Sequence, residues 1–77
     1  MEKSFNEVIL HINEALDEAA LHQLEEGVRH DPGVVSVGHD PAKPHMLMVV
    51  YDSDSTHASN LLHSFHERGL HAQVVGM

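Results

Sequence analysis

Two segments with the apolar spacing of an amphipathic helix restrict this chain to a small set of folds. Pro32 and Gly33 follow the first segment and Gly69 follows the second, and such residues end helices and turn the chain. Asp17 is predicted to cap the start of the first helix, because its side chain can accept from a free backbone N–H. Polar residues beside the stripe, Glu25 among them, are expected to face solvent. The predicted apolar stripes are Ala20, Leu21, Leu24 and Val28 in the first helix and Ala58, Leu61, Leu62 and Phe65 in the second.

Four short strand-like runs surround these helices, at residues 8–12, 34–38, 46–51 and 70–75. In the first run, the two-residue period places Val8, Leu10 and Ile12 on one face and leaves Ile9 and His11 on the other. The resulting order is β-α-β-β-α-β. Two right-handed crossovers around a hairpin predict an α+β, ferredoxin-like βαββαβ sandwich, with a four-stranded antiparallel sheet in the order 4-1-3-2 and both helices on one face. Residues 1–77 are expected to form one such domain.

Charge and composition narrow the classes of function. Twelve acidic residues against four basic ones give a net charge of −8 with neutral histidines, so no nucleic-acid partner is expected. No run approaches the roughly 20 apolar residues of a membrane span and nothing resembles a signal peptide, so a soluble cytoplasmic protein without a membrane partner is expected. The chain has no cysteine, which excludes disulfides and thiolate ligands, but it has nine histidines.

Several short motifs from residue 32 onward resemble the heavy-metal-associated domain family, small carriers and transporter modules that move copper and related soft ions. The resemblance extends over about residues 8–75 and implies the same ferredoxin-like fold. The motifs that carry it are Pro32-Gly33-Val34, Val49-Val50-Tyr51-Asp52, Leu61-Leu62 with Phe65, and Gly69-Leu70.

The metal loop of that family, G-M-x-C-x-x-C, aligns with residues 14–20 of this chain. Asp17 and Ala20 stand at the two cysteine positions, and Ala15 stands at the methionine position. Thiolates select Cu(I), and a single carboxylate offers only a hard oxygen. The resemblance therefore implies the fold, but the family's usual metal site is degenerate here.

Histidines could provide a different metal site. The predicted topology brings His39 and His45 to the same end of the sheet as Asp17, and it places His11 and His71 outward on adjacent strands near that end. Imidazoles suit Cu, Ni or Zn, so weak transition-metal binding through His11, His71, His39 and His45 is one hypothesis.

The same open sheet face also supports a metal-free alternative. Ile9, Met46, Met48 and Val50 are predicted to face outward beside the histidines, as expected of a contact surface for a protein partner or a second copy of the chain. Protonation of the nine histidines near pH 6.5 would remove the net negative charge, so pH-dependent association is a further hypothesis. No nucleophile–base set or glycine-rich phosphate loop is found, so an enzyme is not expected.

Overall fold

A computed structural model describes residues 4–76, which form four strands and two helices. In chain order the elements are β1 (Phe5–Ile12), α1 (Glu18–Arg29), β2 (Val34–Gly38), β3 (Met46–Asp52), α2 (Ala58–Glu67) and β4 (Ala72–Gly76). The strands form one antiparallel sheet in the order β2-β3-β1-β4. This is the predicted order 4-1-3-2 counted from the opposite edge, so the predicted ferredoxin-like fold is confirmed.

β1 is the central strand around which the core is built. Val8, Leu10 and Ile12 point toward the helices and are at most 1% exposed. Leu47 and Val49 of β3 pack beside them on the same face. Leu21, Leu24, Val28, Leu61 and Phe65 of the helices complete the buried cluster. The strand begins at Phe5, earlier than the predicted residue 8, because β3 continues to Asp52 and pairs with Phe5.

α1 begins as predicted, because the Asp17 carboxylate accepts a hydrogen bond of 2.7 Å from the backbone N–H of Ala20. The prediction that Glu25 faces solvent is wrong. Glu25 is only 7% exposed, and it lies on the core side between Leu21 and Val28. The buried face of α1 is therefore wider than its apolar stripe.

Two glycines with positive φ make the turns after the helices. Gly33 (φ 81°) leads from α1 into β2, and Gly69 (φ 79°) follows α2. The backbone N–H groups of Gly69 and Leu70 donate to the carbonyls of His66 and Phe65, at 2.9 and 3.1 Å. These bonds extend the helix ending through Leu70, so β4 starts at Ala72 and not at the predicted residue 70.

Within residues 4–76, neither helix is long and apolar enough to cross a membrane.

Candidate metal and contact site on the open sheet face

The sheet face turned away from the helices is here called the open face. On β1 it carries Phe5, Glu7, Ile9 and His11, and on β3 it carries Met46, Met48, Val50 and Asp52. β4 adds Gln73, opposite His11, and Val75 follows at an irregularity of the register. The four residues predicted to form a contact surface, Ile9, Met46, Met48 and Val50, all lie on this face. The exposed apolar residues on this face and at the end of β4 are Phe5 (54%), Met46 (36%), Met48 (44%) and Val75 (51%).

The two ends of the open face differ in chemistry. Glu7, paired with Val50, and Asp52, paired with Phe5, put carboxylates at one end. His11, paired with Met46, lies at the other end. Ile9 and Met48 lie between them, so the open face has an apolar centre between an end with carboxylates and an end with an imidazole.

His11 and His45 form a stacked imidazole pair at that second end. Their ring centroids are 5.8 Å apart, and the ring planes differ by 20°. His45 comes just before β3, where its carbonyl accepts from the N–H of Ile12 at 2.8 Å. Its Nδ1 lies 3.1 Å from the carbonyl oxygen of Ile12. A carbonyl oxygen only accepts, so Nδ1 of His45 carries the hydrogen, and Nε2 of the neutral ring keeps its lone pair for a ligand.

His71 does not join this pair. The residue opposite His11 on β4 is Gln73, and His71 lies in the turn before the strand. Its N–H donates to one Glu14 carboxylate oxygen at 2.8 Å, and its Nδ1 lies 2.6 Å from the other oxygen. Its ring meets His66 edge-on, at 5.8 Å between centroids. His45, and not His71, is thus the imidazole stacked on His11, and a metal-binding role for His71 stays a prediction.

Glu14 is a site residue that the sequence did not single out. Hydrogen bonds from the His71 side chain and then from the His71 backbone N–H hold the pKa of the Glu14 carboxyl below its ordinary value. Glu14 belongs to the loop between β1 and α1, so it fastens that loop to the turn before β4. Glutamate is common at protein surfaces, and Glu14 and His71 are far apart in the sequence. No local sequence pattern therefore indicates that they are in contact.

His39 and Asp17 are also held in separate interactions. Nδ1 of His39 lies 3.1 Å from a carboxylate oxygen of the buried Glu25. The Asp17 carboxylate is occupied by the N-cap bond, and His45 is held at Ile12. The predicted gathering of Asp17, His39 and His45 is therefore not formed. The burial of Glu25, although not its contact with His39, could have been found from sequence, because Leu21, Leu24, Glu25 and Val28 have the helical spacing of one face.

Among residues 4–76, no group of three or more histidine, aspartate or glutamate side chains is arranged to hold a metal ion. The chain has no cysteine that could add a thiolate. What the described part of one chain offers is imidazole pairs, of which His11–His45 has a thioether neighbour in Met46.

Comparison with known proteins shows a shared fold without close sequence similarity. No protein-family model and no curated protein sequence matches this chain. Oxidized MerP from Ralstonia metallidurans CH34 matches with a TM-score of 0.82 at 17% identity, over 94% of this chain and 99% of that one. A copper-binding domain from HMA7, a P-type ATPase, matches with a TM-score of 0.81 at 13% identity, over 91% of this chain and 93% of that one.

A third structure, the copper form of a CopA variant from Bacillus subtilis, matches with a TM-score of 0.79 at 21% identity, over the whole of both chains. The chain thus has the ferredoxin-like fold of heavy-metal-associated domains. At these identities the similarity is one of fold.

Proposed function

We propose that this chain is a metal-binding domain of the heavy-metal-associated fold that uses histidines where relatives use a thiolate loop. The observation that carries the proposal is the His11–His45 pair, in which the bond from His45 to Ile12 leaves Nε2 available. The ion is cargo or ligand, and the proposal is for a binding protein and not for an enzyme.

The donor set favours borderline and soft transition metals. Imidazole suits Cu, Ni and Zn, and the thioether of Met46, opposite His11, would add a preference for copper. An imidazole is a better metal ligand when a hydrogen bond from its other nitrogen orients the ring. The Ile12 carbonyl accepts such a bond from His45. His71 and His39 are secondary candidates, because carboxylates of Glu14 and Glu25 orient their rings in the same way.

Calorimetric titration with Cu(II), Ni(II) and Zn(II) tests this function. We expect the His11→Ala, His45→Ala double variant to bind about tenfold more weakly than the wild type, a loss of about 1.4 kcal/mol. The His30→Ala, His57→Ala variant is the matched control, because it removes two exposed imidazoles that are not on the open face. Equal affinities for the wild type and both double variants would contradict the proposal. Single His71→Ala and His39→Ala variants measure how much each of these histidines contributes to the metal affinity.

A second candidate function is protein interaction through the open face without metal. It is favoured by the exposure of Phe5, Met46, Met48 and Val75 on one surface, since contiguous apolar patches commonly mark contacts. Sedimentation in the presence of a chelator tests it with Met48→Asp. The control is Ala19→Asp, which adds the same charge on the exposed side of α1. Self-association that Met48→Asp abolishes and Ala19→Asp retains would support this candidate, and a monomeric wild type would contradict a homodimer.

A further inference from the structure

We propose that a second copy of this chain completes the metal site, with Glu7 of the second copy joining the His11–His45 pair across a two-fold interface of open faces. The inference rests on the proposed metal function, and it names the ligand that one chain lacks. It starts from the finding that the described residues of a single chain bring no three suitable side chains together.

The register of the open face is symmetric about its centre. Ile9 and Met48 are paired there, and Glu7 and His11 lie two residues to either side of Ile9. A two-fold axis that runs across the strands at Ile9, between two facing sheets, lays β1 of one copy antiparallel over β1 of the other. That operation places Glu7 of the second copy over His11, and by symmetry it makes two identical sites.

The apolar middle of the open face gives this arrangement its contact surface. Ile9 and Met48 of one copy would meet the same residues of the other, and Val50 of each copy would meet Met46 of the other, as in two sheets that pack face to face. Facing sheets lie about 10 Å apart, a gap that glutamate and histidine side chains span when both extend toward a shared ion. The histidine pair lies at the border of this patch, where a metal remains accessible to solvent.

Charge selects this orientation over the other face-to-face arrangement. A two-fold axis parallel to the strands would place the acidic end, Glu7 with Asp52, against the acidic end of the second copy, and like charges in contact oppose association. The opposite end has the oppositely charged Lys43 and Asp40 beside it.

Charge also makes a metal ion part of the interface. Each copy carries a net charge of −8, which opposes the approach of two copies. A divalent cation held between His11, His45 and Glu7 of the second copy offsets part of this repulsion. Zn(II) accepts two imidazoles and one carboxylate, with its fourth tetrahedral position left to solvent. Association is therefore expected to depend on the ion.

Sedimentation of the whole chain with Zn(II) or with a chelator is the first test. The wild type is expected to be a monomer in chelator and a dimer with one Zn(II) per chain at equimolar metal. Glu7→Gln keeps the size of the side chain and should weaken the Zn(II)-dependent dimer at least about tenfold. Met48→Asp should abolish the dimer while weak Zn(II) binding persists, and Ala19→Asp should behave as the wild type.

Mixing two variants tests whether the ligands come from different copies. Glu7→Gln retains the histidine pair, and His11→Ala retains Glu7, so at a protein concentration just sufficient for the wild-type dimer each variant alone should stay mainly monomeric with Zn(II). Their equimolar mixture should form a heterodimer with one intact site and one Zn(II) per dimer. A mixture that behaves as the sum of its parts overturns the proposal.

The outcomes separate this inference from the proposed function. Wild type that binds Zn(II) tightly as a monomer overturns the two-copy site and leaves histidine-based binding intact. Wild type that binds no better than the His11→Ala, His45→Ala variant overturns the proposed function itself. A dimer that persists unchanged in chelator also overturns the metal-bridged site and supports the metal-free interface.

Discussion

Asp17 stabilises the start of α1 as its N-cap, because its carboxylate accepts a hydrogen bond from the Ala20 N–H. Asp17→Ala should lower the free energy of unfolding by about 1 kcal/mol, because that donor loses its partner. Asp17→Asn should lower it less. Urea unfolding measures both, and unchanged stability in Asp17→Ala would show that the cap contributes nothing.

Glu14 should give the domain a pH-dependent contact. Its pKa is lowered by the hydrogen bonds from His71, so the folded chain favours the carboxylate. The hydrogen bonds from His71 to Glu14 contribute fully to the free energy of unfolding above the pKa that Glu14 has in the unfolded chain. This contribution is lost as pH falls through the lower pKa of Glu14 in the folded chain. Wild type should therefore exceed Glu14→Gln in stability at pH 7, and the difference should vanish in acid, below the ordinary 4.5 of glutamate.

Urea unfolding across this acid range, with a parallel NMR titration of the Glu14 carboxyl group, measures that effect. Glu67→Gln is a control, because Glu67 is largely exposed. A stability difference that stays constant down to about pH 2 would contradict the assignment.

At the scale of elements, Gly33 and Gly69 have similar positive φ values but different surroundings. Alanine substitutions at these two positions therefore distinguish the cost of backbone strain from the cost of steric crowding. A Cβ on Gly33 would lie 2.8 Å from Cγ2 of Thr56, whereas a Cβ on Gly69 would meet nothing within 4 Å. Gly69→Ala should therefore cost only the left-handed strain, about 1–2 kcal/mol. Gly33→Ala should cost more, because Thr56 is buried and must move. Urea midpoints compare the two, and equal losses would mean that the turn at Gly33 adjusts freely.

The loop between β1 and α1 should be able to hold a metal ion if two cysteines are introduced into it. Asp17 and Ala20 are already adjacent, since the side chain of the first reaches the backbone of the second. The double variant Asp17→Cys, Ala20→Cys should gain tight Cu(I) binding, because thiolates select that ion. Competition with a Cu(I) chelator measures it, and Asp17→Cys alone is the control. If the double variant bound no better than the control, the loop geometry itself would be unsuitable.

For the whole molecule, the core depends on a few large side chains. Phe65 is fully buried among residues of both helices and the sheet. Phe65→Ala should cost about 3–5 kcal/mol. A domain of this size has a total stability of about 4–12 kcal/mol, so the variant should lose a large share of its stability and unfold at a much lower urea concentration than the wild type. Circular dichroism and urea unfolding check this, with Phe65→Leu as a milder variant, and a loss below about 1 kcal/mol would contradict the packing.

Regular patterns in the sequence were sufficient to predict the architecture. The alternation of Val8, Leu10 and Ile12 and the stripes on both helices report burial directly, and the structure confirms the strand order that they imply. The ends of the helices and strands were harder to predict from the sequence. β1 is longer than predicted because pairing with β3, and not the propensity of its own polar residues, defines its start at Phe5.

The arrangement of the candidate site could be predicted only in part. The outward placement of His11, Met46 and Met48 follows from the two-residue period. The partners of each imidazole depend on contacts between distant segments, such as Glu14 with His71 and Glu25 with His39. The stacking of His45 on His11 and the bond between His71 and Glu14 both involve residues outside the strands, so the alternation along a strand does not predict them.

The central position of β1 has a consequence for how the chain reaches this fold. β1 pairs on one side with β3 and on the other with β4, the last strand, so no continuous half of the sequence contains the finished sheet. Pairings between such distant segments require large loops to close before any bond forms, which slows folding relative to helical domains of equal size. The search for β4 is thus expected to be a late kinetic step, during which one edge of β1 lacks its final partner.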